Sequence, residues 1–220
     1  MRVLNFPNSL TILRILLIPA FLFLLYRPGY IHQALALAVF AIASLTDYWD
    51  GEWARRRNQI TTFGEFMDPL ADKLLVAAAL LAFVNRPDTL IPAWMVFLII
   101  AREFMITAIR YASLAQGRPI RTSHLGKAKT TSQMTTIHVI LILIVVRRYI
   151  EETGARNIGG VNLRIDNFWE TVVGDFWGVV IKYAPYGLML ITTILTVISG
   201  GRYVLQNRHI ITGKLPPPQS

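Results

Sequence analysis

Apolar residues run along the chain in six stretches, roughly 9–26, 31–53, 67–84, 91–114, 128–147 and 176–199. Each is close to the ~20 residues that a bilayer-crossing helix needs. They predict an all-α integral membrane protein with six transmembrane helices. Arg14 and Pro19 interrupt the first stretch, which gives it the look of a signal peptide. Only Arg2 precedes it as a basic residue, no small-residue cleavage site follows Tyr26, and five more stretches come after. A retained first helix is expected, starting at a cap on Asn8 or Ser9 after Pro7. Ser199-Gly200-Gly201 reads as the end of the last helix. The polar stretch 151–175 is the longest predicted extramembrane loop, and the tail 215–220 (Leu-Pro-Pro-Pro-Gln-Ser) cannot continue a helix. With no internal repeat, residues 1–220 read as one membrane domain.

Composition supports this picture. Charged residues are 16% of the 220 and apolar ones 54%, with a mean hydropathy of +0.46. Soluble domains carry about 25% charged residues, so a water-soluble enzyme is disfavoured, and disorder is excluded by the apolar content. The absence of cysteine removes disulfides, thiol nucleophiles and thiolate metal sites. A net charge of +9 on so apolar a chain points to a membrane face bearing anionic lipid rather than to nucleic acid. The charges also predict orientation. Arg2, Arg55, Arg56, Arg57, Arg118, Arg121, Lys127, Lys129, Arg202, Arg208 and Lys214 fall on one side. Arg27, Arg86, Arg147, Arg148, Arg156 and Arg164 fall on the other. Eleven against six places both termini in the cytoplasm.

Acidic residues then appear where the membrane should exclude them. Asp47 and Asp50 are three apart at the end of the second stretch, and Asp68 and Asp72 are four apart at the start of the third. On helices each pair shares a face one turn long, and an antiparallel connection brings the pairs together. Four crowded carboxylates must be protonated or hold cations. Hard oxygen donors without cysteine or nearby histidine suit Mg²⁺ or Mn²⁺ rather than zinc. Gly51, Ala54 and Gly64 leave room for close approach of a ligand. The plainer reading makes Asp68 an N-cap with Pro69 at the first helical position, and pairs Asp47 or Asp50 with the 55–57 arginines. The four histidines (His32, His124, His138, His209) are scattered and suggest no shared site, and the tryptophans and tyrosines suggest an interfacial aromatic belt.

From Asp47 to Asp72 the chain reads D-x2-D-G-x2-A-R-x8-G-x3-D-x3-D. Pro7-Asn8-Ser9-Leu10-Thr11 with Arg14 precedes it. Ile91-Pro92-Ala93-Trp94, Ala101-Arg102-Glu103-Phe104 and Gly126-Lys127-Ala128-Lys129-Thr130 with Gln133 follow. These residues resemble the CDP-alcohol phosphotransferase family, most closely its bacterial phosphatidylglycerophosphate synthase branch, over about residues 4–135. The resemblance implies six membrane helices, a homodimer, and a cytoplasm-facing cavity with two divalent metals, Mg²⁺ or Mn²⁺. It implies Asp47, Asp50 and Asp68 as metal ligands, and Asp72 as catalytic base and possible further ligand. Gly51, Ala54, Arg55 and Gly64, with Asn8 and Thr11, would bind CDP.

The implied reaction transfers the phosphatidyl group of CDP-diacylglycerol to glycerol 3-phosphate at a bacterial-type inner membrane. A phosphorylated acceptor needs its own cations, for which Arg102, Arg110, Arg118, Arg121, Lys127 and Lys129 are the candidates, Arg102, Arg110, Arg118 and Lys127 first among them; the plainer role of 118–129 is to mark the cytoplasmic side. Glu103 is expected to pair with Arg102 or Lys127. The alternatives are a sibling transferase acting on inositol phosphate, serine or phosphatidylglycerol, and a divalent-cation transporter. The last third of the chain suggests a membrane helix and little else.

Overall fold

The computed structural model describes residues 6–57, 62–115, 124–153, 157–158, 161–162 and 176–208, with side chains described for 11–46, 70–115, 129–153 and 178–208. Its helices are α1 (Phe6–Tyr26), α2 (Tyr30–Arg57), α3 (Thr62–Val84), α4 (Ala93–Ala115), α5 (His124–Thr153) and α6 (Phe176–Gln206). Within the expected 151–175 loop, β1 (Asn157–Ile158) pairs antiparallel with β2 (Val161–Asn162), in the register Asn157↔Asn162 and Ile158↔Val161. The fold is otherwise helical throughout the described residues.

Several helix ends differ from the sequence expectation, each for a local reason. Helix α1 begins at Phe6, so Asn8 and Ser9 lie within it. Pro7 in the first turn costs nothing there, because that N–H has no intrahelical acceptor. Helix α3 begins at Thr62, six residues before Asp68, which removes the N-cap reading of Asp68. Helix α5 continues past its apolar stretch to Thr153. Arg147–Glu151, Arg148–Glu151 and Arg148–Glu152 pair along its surface at helical spacing and support those last turns. Helix α6 runs through Gly200 and Gly201 to Gln206, so Ser199-Gly200-Gly201 does not end it.

Helix α1 packs on α2 and α3, α2 on α5, and α6 on both α4 and α5. One apolar core, including Phe21, Phe40, Leu75, Phe83, Met95, Ile99, Ile137 and Met189, draws on all six helices. Buried Ala36, Ala43, Ala79 and Ala82 let backbones approach closely, the packing mode of helices in lipid. Helices α5 and α6 are long and apolar enough to cross a membrane, and only 39% of each apolar window is buried inside the protein. Helix α4 carries Arg102, Glu103 and Arg110 among its apolar residues. Large side chains such as Leu16, Phe97, Phe104 and Leu205 are more than half exposed on the bundle's outside. Apolar surface on that scale needs an apolar surrounding.

The end of the bundle holding the α1–α2 and α3–α4 turns is closed by polar ties. Arg86 pairs with Asp88 at 2.7 Å and donates to the Leu25 carbonyl at 2.7 Å. Arg147 donates to the Asp88 carbonyl at 3.1 Å, and the Tyr30 N–H donates to Glu152 at 3.1 Å. Thr89 Oγ1 bonds the Phe83 carbonyl at 2.7 Å, stopping α3. Burial by itself would raise the Asp88 carboxyl, but the hydrogen bonds and charge of Arg86, with Arg147 behind it, hold it below its ordinary value. Gly29, at φ 103°, makes the α1–α2 turn in a backbone region that glycine enters freely.

Candidate active site

At the opposite end, α3, α4 and α5 enclose a cavity of about 80 Å³, room for several waters. Asp72 and Lys73 of α3, Glu103 of α4, and Thr130 and Gln133 of α5 supply its polar wall. Val76, Leu80, Ile99 and Met134 supply the apolar remainder. The arrangement follows from helix direction. The middle of α3, the middle of α4 and the first third of α5 face one another across the cavity. Polar residues confined to those helix portions therefore share one chamber, while each helix's apolar portion packs into the core.

A network of cations and one carboxylate links the wall. Lys129 is buried, with a side chain only 1% exposed, and its ammonium bonds the Glu103 carboxylate. Arg102 also reaches Glu103, at 3.4 Å, and its Nη2 donates to Ser199 Oγ of α6 at 2.9 Å. Lys73 donates to Thr107 Oγ1, which donates to the Glu103 carbonyl at 2.7 Å. Lys129 lies within electrostatic range of Arg102, Asp72 and Lys73, and Lys73 within range of Arg110. Arg110 itself is exposed. Cations so close together repel in the low-dielectric interior unless anions join them. The arrangement is suited to holding negatively charged groups.

The sequence-derived candidates fall into three groups. Asp72, Arg102, Arg110 and Thr11 have described side chains. Asp72 lines the cavity, and Arg102 and Arg110 lie on α4 beside it. Thr11 is buried on α1, one turn before Arg14, which is also buried and whose Nε donates to the Ala43 carbonyl of α2 at 3.3 Å. For Asn8, Asp47, Asp50, Gly51, Ala54, Arg55, Gly64, Asp68 and Lys127 the described structure stops at the helical backbone, and their side chains lie outside it. Arg118 lies wholly outside the described residues, as does the tail 215–220. The backbone places Asp47 and Asp50 on α2, and Asp68 and Asp72 on α3, with each pair on one uninterrupted helix. Among the described residues alone, no three His, Cys, Asp or Glu side chains cluster as a metal site.

Glu103 pairs with Arg102, one of the two expected partners, and with Lys129, itself a candidate cation for the acceptor phosphate. Lys129, Gln133 and Thr136 recur at intervals of four and three on a largely apolar helix, and all three are buried. That polar stripe marks the face of α5 turned into the bundle, where Gln133 reaches the cavity and Thr136 bonds Thr192 of α6. Nothing in the sequence pointed to Ser199.

The chain belongs to the CDP-alcohol phosphatidyltransferase family, whose model matches residues 4–164. A Bacillus subtilis (strain 168) protein is 42% identical to it over 151 residues, covering 63% of this chain and 77% of that protein. A Pseudomonas fluorescens protein is 42% identical over 140 residues, covering 62% and 72%. An Escherichia coli (strain K12) protein is 40% identical over 143 residues, covering 62% and 76%. All three bear the name CDP-diacylglycerol–glycerol-3-phosphate 3-phosphatidyltransferase.

Proposed function

We infer that the chain transfers the phosphatidyl group of CDP-diacylglycerol to glycerol 3-phosphate, forming phosphatidylglycerophosphate and CMP. The observation that carries this reading is about 40% identity to three bacterial proteins bearing that one name, over most of their lengths. The basic network around Glu103 supports a phosphorylated acceptor over serine.

The donor chemistry fits divalent metal. The proposed ligands Asp47, Asp50, Asp68 and Asp72 offer only carboxylate oxygens, spaced one turn apart on two continuous helices. Mg²⁺ or Mn²⁺ held there would supply charge neutralisation to the pyrophosphate and to the departing CMP. Asp72, at the polar wall, accepts the proton of the glycerol 1-hydroxyl as that oxygen bonds the lipid-bearing phosphorus. The phosphorus–oxygen bond to CMP breaks in the same displacement. Arg55, with Asn8, Thr11, Gly51, Ala54 and Gly64, holds the CDP portion. Arg110, Lys127, Arg102 and Arg118 hold the acceptor phosphate, which aligns the nucleophile, the main requirement of phosphoryl transfer.

In this reading residues 1–220 form one domain, all six helices span a bacterial inner membrane, and the cavity and both termini face the cytoplasm. The apolar outer surface and the eleven-to-six distribution of basic residues support it. Family resemblance supports a homodimer. Lipid tails then remain in the bilayer while the headgroup chemistry proceeds at its edge.

Detergent-purified protein with CDP-diacylglycerol, Mg²⁺ or Mn²⁺ and a panel of alcohols tests the reading by CMP release. Release is expected with glycerol 3-phosphate and is abolished by excess chelator. Release with inositol phosphate, serine or phosphatidylglycerol instead assigns a sibling reaction, and full release in chelator overturns the metal assignment.

A further inference from the structure

Helix α6 begins at Phe176, beyond residue 164 where the family match ends, yet it bonds Arg102, whose neighbour Glu103 lines the cavity. Arg102 donates from Nη2 to Ser199 Oγ at 2.9 Å, and its stem crosses α6 directly above Gly200. A Cβ at position 200 would stand 2.9 Å from Arg102 Cγ and 3.7 Å from its Nε, closer to Cγ than real Cβ atoms come. At Gly201, one residue further, a Cβ would meet nothing within 4 Å. The two glycines are therefore not equivalent. Gly200 is empty because Arg102 fills the space, and Gly201 faces open surroundings. From Arg102 the contacts continue to Glu103, which lines the cavity, and from Glu103 to buried Lys129 on α5.

We propose that Ser199 and Gly200 are positioning residues for the acceptor phosphate: they seat Arg102 against Glu103, the cavity residue that also holds Lys129. An arginine stem has several rotatable bonds, and holding it in one rotamer carries an entropic cost. Ser199 fixes its tip and Gly200 gives its stem a floor, so that cost is met before substrate arrives. Such an effect acts on binding of the phosphorylated acceptor. It leaves the nucleotide side of the site, built on α2 and the start of α3, untouched. This inference rests on the reading of Arg102 as an acceptor-phosphate residue.

The test compares Gly200→Ala, Ser199→Ala, Ser199→Thr and Gly201→Ala in the full-length protein in detergent. Gly200→Ala and Ser199→Ala should each raise the KM for glycerol 3-phosphate about tenfold, equivalent to about 1.4 kcal/mol. Their KM for CDP-diacylglycerol should stay within about twofold, the scatter expected of a change far from that subsite. Ser199→Thr, which keeps the hydroxyl, should restore the acceptor KM, and Gly201→Ala should match the wild type. A normal acceptor KM in both Gly200→Ala and Ser199→Ala overturns the proposal. So does an equal rise in Gly201→Ala, which would mean a general effect on α6. If Gly200→Ala does not fold, the Ser199 pair decides alone. Wild-type turnover in the same assay checks the parent reading separately. If the wild type does not turn over glycerol 3-phosphate, calorimetric binding of that compound to the same variants reads the inference by the same criteria.

Discussion

The two ends of the bundle handle charge in opposite ways. At the end with the α1–α2 and α3–α4 turns, Arg86, Arg147 and Arg148 each meet a carboxylate, and the carbonyls of Leu25 and Asp88 accept further bonds from Arg86 and Arg147. At the cavity end, the described cations Lys73, Arg102, Arg110 and Lys129 outnumber the described carboxylates Asp72 and Glu103. The first arrangement ties helix ends together. The second gathers four cations around two carboxylates among the described residues, a setting that suits anionic groups. Similar residue types thus tie helix ends together at one end and crowd a polar cavity at the other.

The comparison breaks most completely at Asp72. Asp72→Asn should lower CMP release by about 10²- to 10⁴-fold, the range of a general base, with nucleotide binding largely kept. Normal turnover in that variant would return Asp72 to the role of a neutral wall residue. Next in size is Glu103→Gln, which leaves the buried Lys129 ammonium without its counter-charge. Breaking one side of a buried pair costs about 3–5 kcal/mol, and with Glu103 26% exposed the lower figure is expected. Denaturant unfolding in detergent measures it. Glu103→Gln combined with Lys129→Met should recover most of the loss, whereas additive losses would show that the pair does not interact.

A smaller effect is expected at Arg110. Arg110→Ala should raise the KM for glycerol 3-phosphate about 10- to 100-fold, from about 1.5–3 kcal/mol for a charged hydrogen bond, while the KM for CDP-diacylglycerol stays constant. An unchanged acceptor KM would assign Arg110 to the membrane surface. The smallest effect belongs to the tied end. Because the folded Asp88 carboxyl titrates below its ordinary 3.8, it contributes stability above that pH. The contribution fades as pH falls from about 3.8 through the lower folded value. Asp88→Asn should therefore lower the thermal midpoint at neutral pH by the equivalent of about 1 kcal/mol, with the two curves converging in acid. A constant gap across pH would exclude the Asp88 charge as the cause.

Much of this molecule was legible from one dimension. The six apolar stretches became six helices, and the aspartate spacing from Asp47 to Asp72 fell on two of them, because both signals depend on a helical period that neighbouring residues generate among themselves. The same local logic misread the exceptions. Ser199-Gly200-Gly201 carries the composition of a helix end, but α6 continues because the glycine answers to Arg102, 98 residues earlier in the chain. Asp68-Pro69 carries the composition of a helix start, but α3 is already six residues old. Lys129 is one of several candidate cations in the sequence, and only the bundle pairs it with Glu103 of α4. Periodicity and spacing are properties of a segment and survive in the bare sequence. Which cation meets which carboxylate, and which glycine makes room for which side chain, depends on the rotation and height at which two helices pack, and only the assembled bundle decides that.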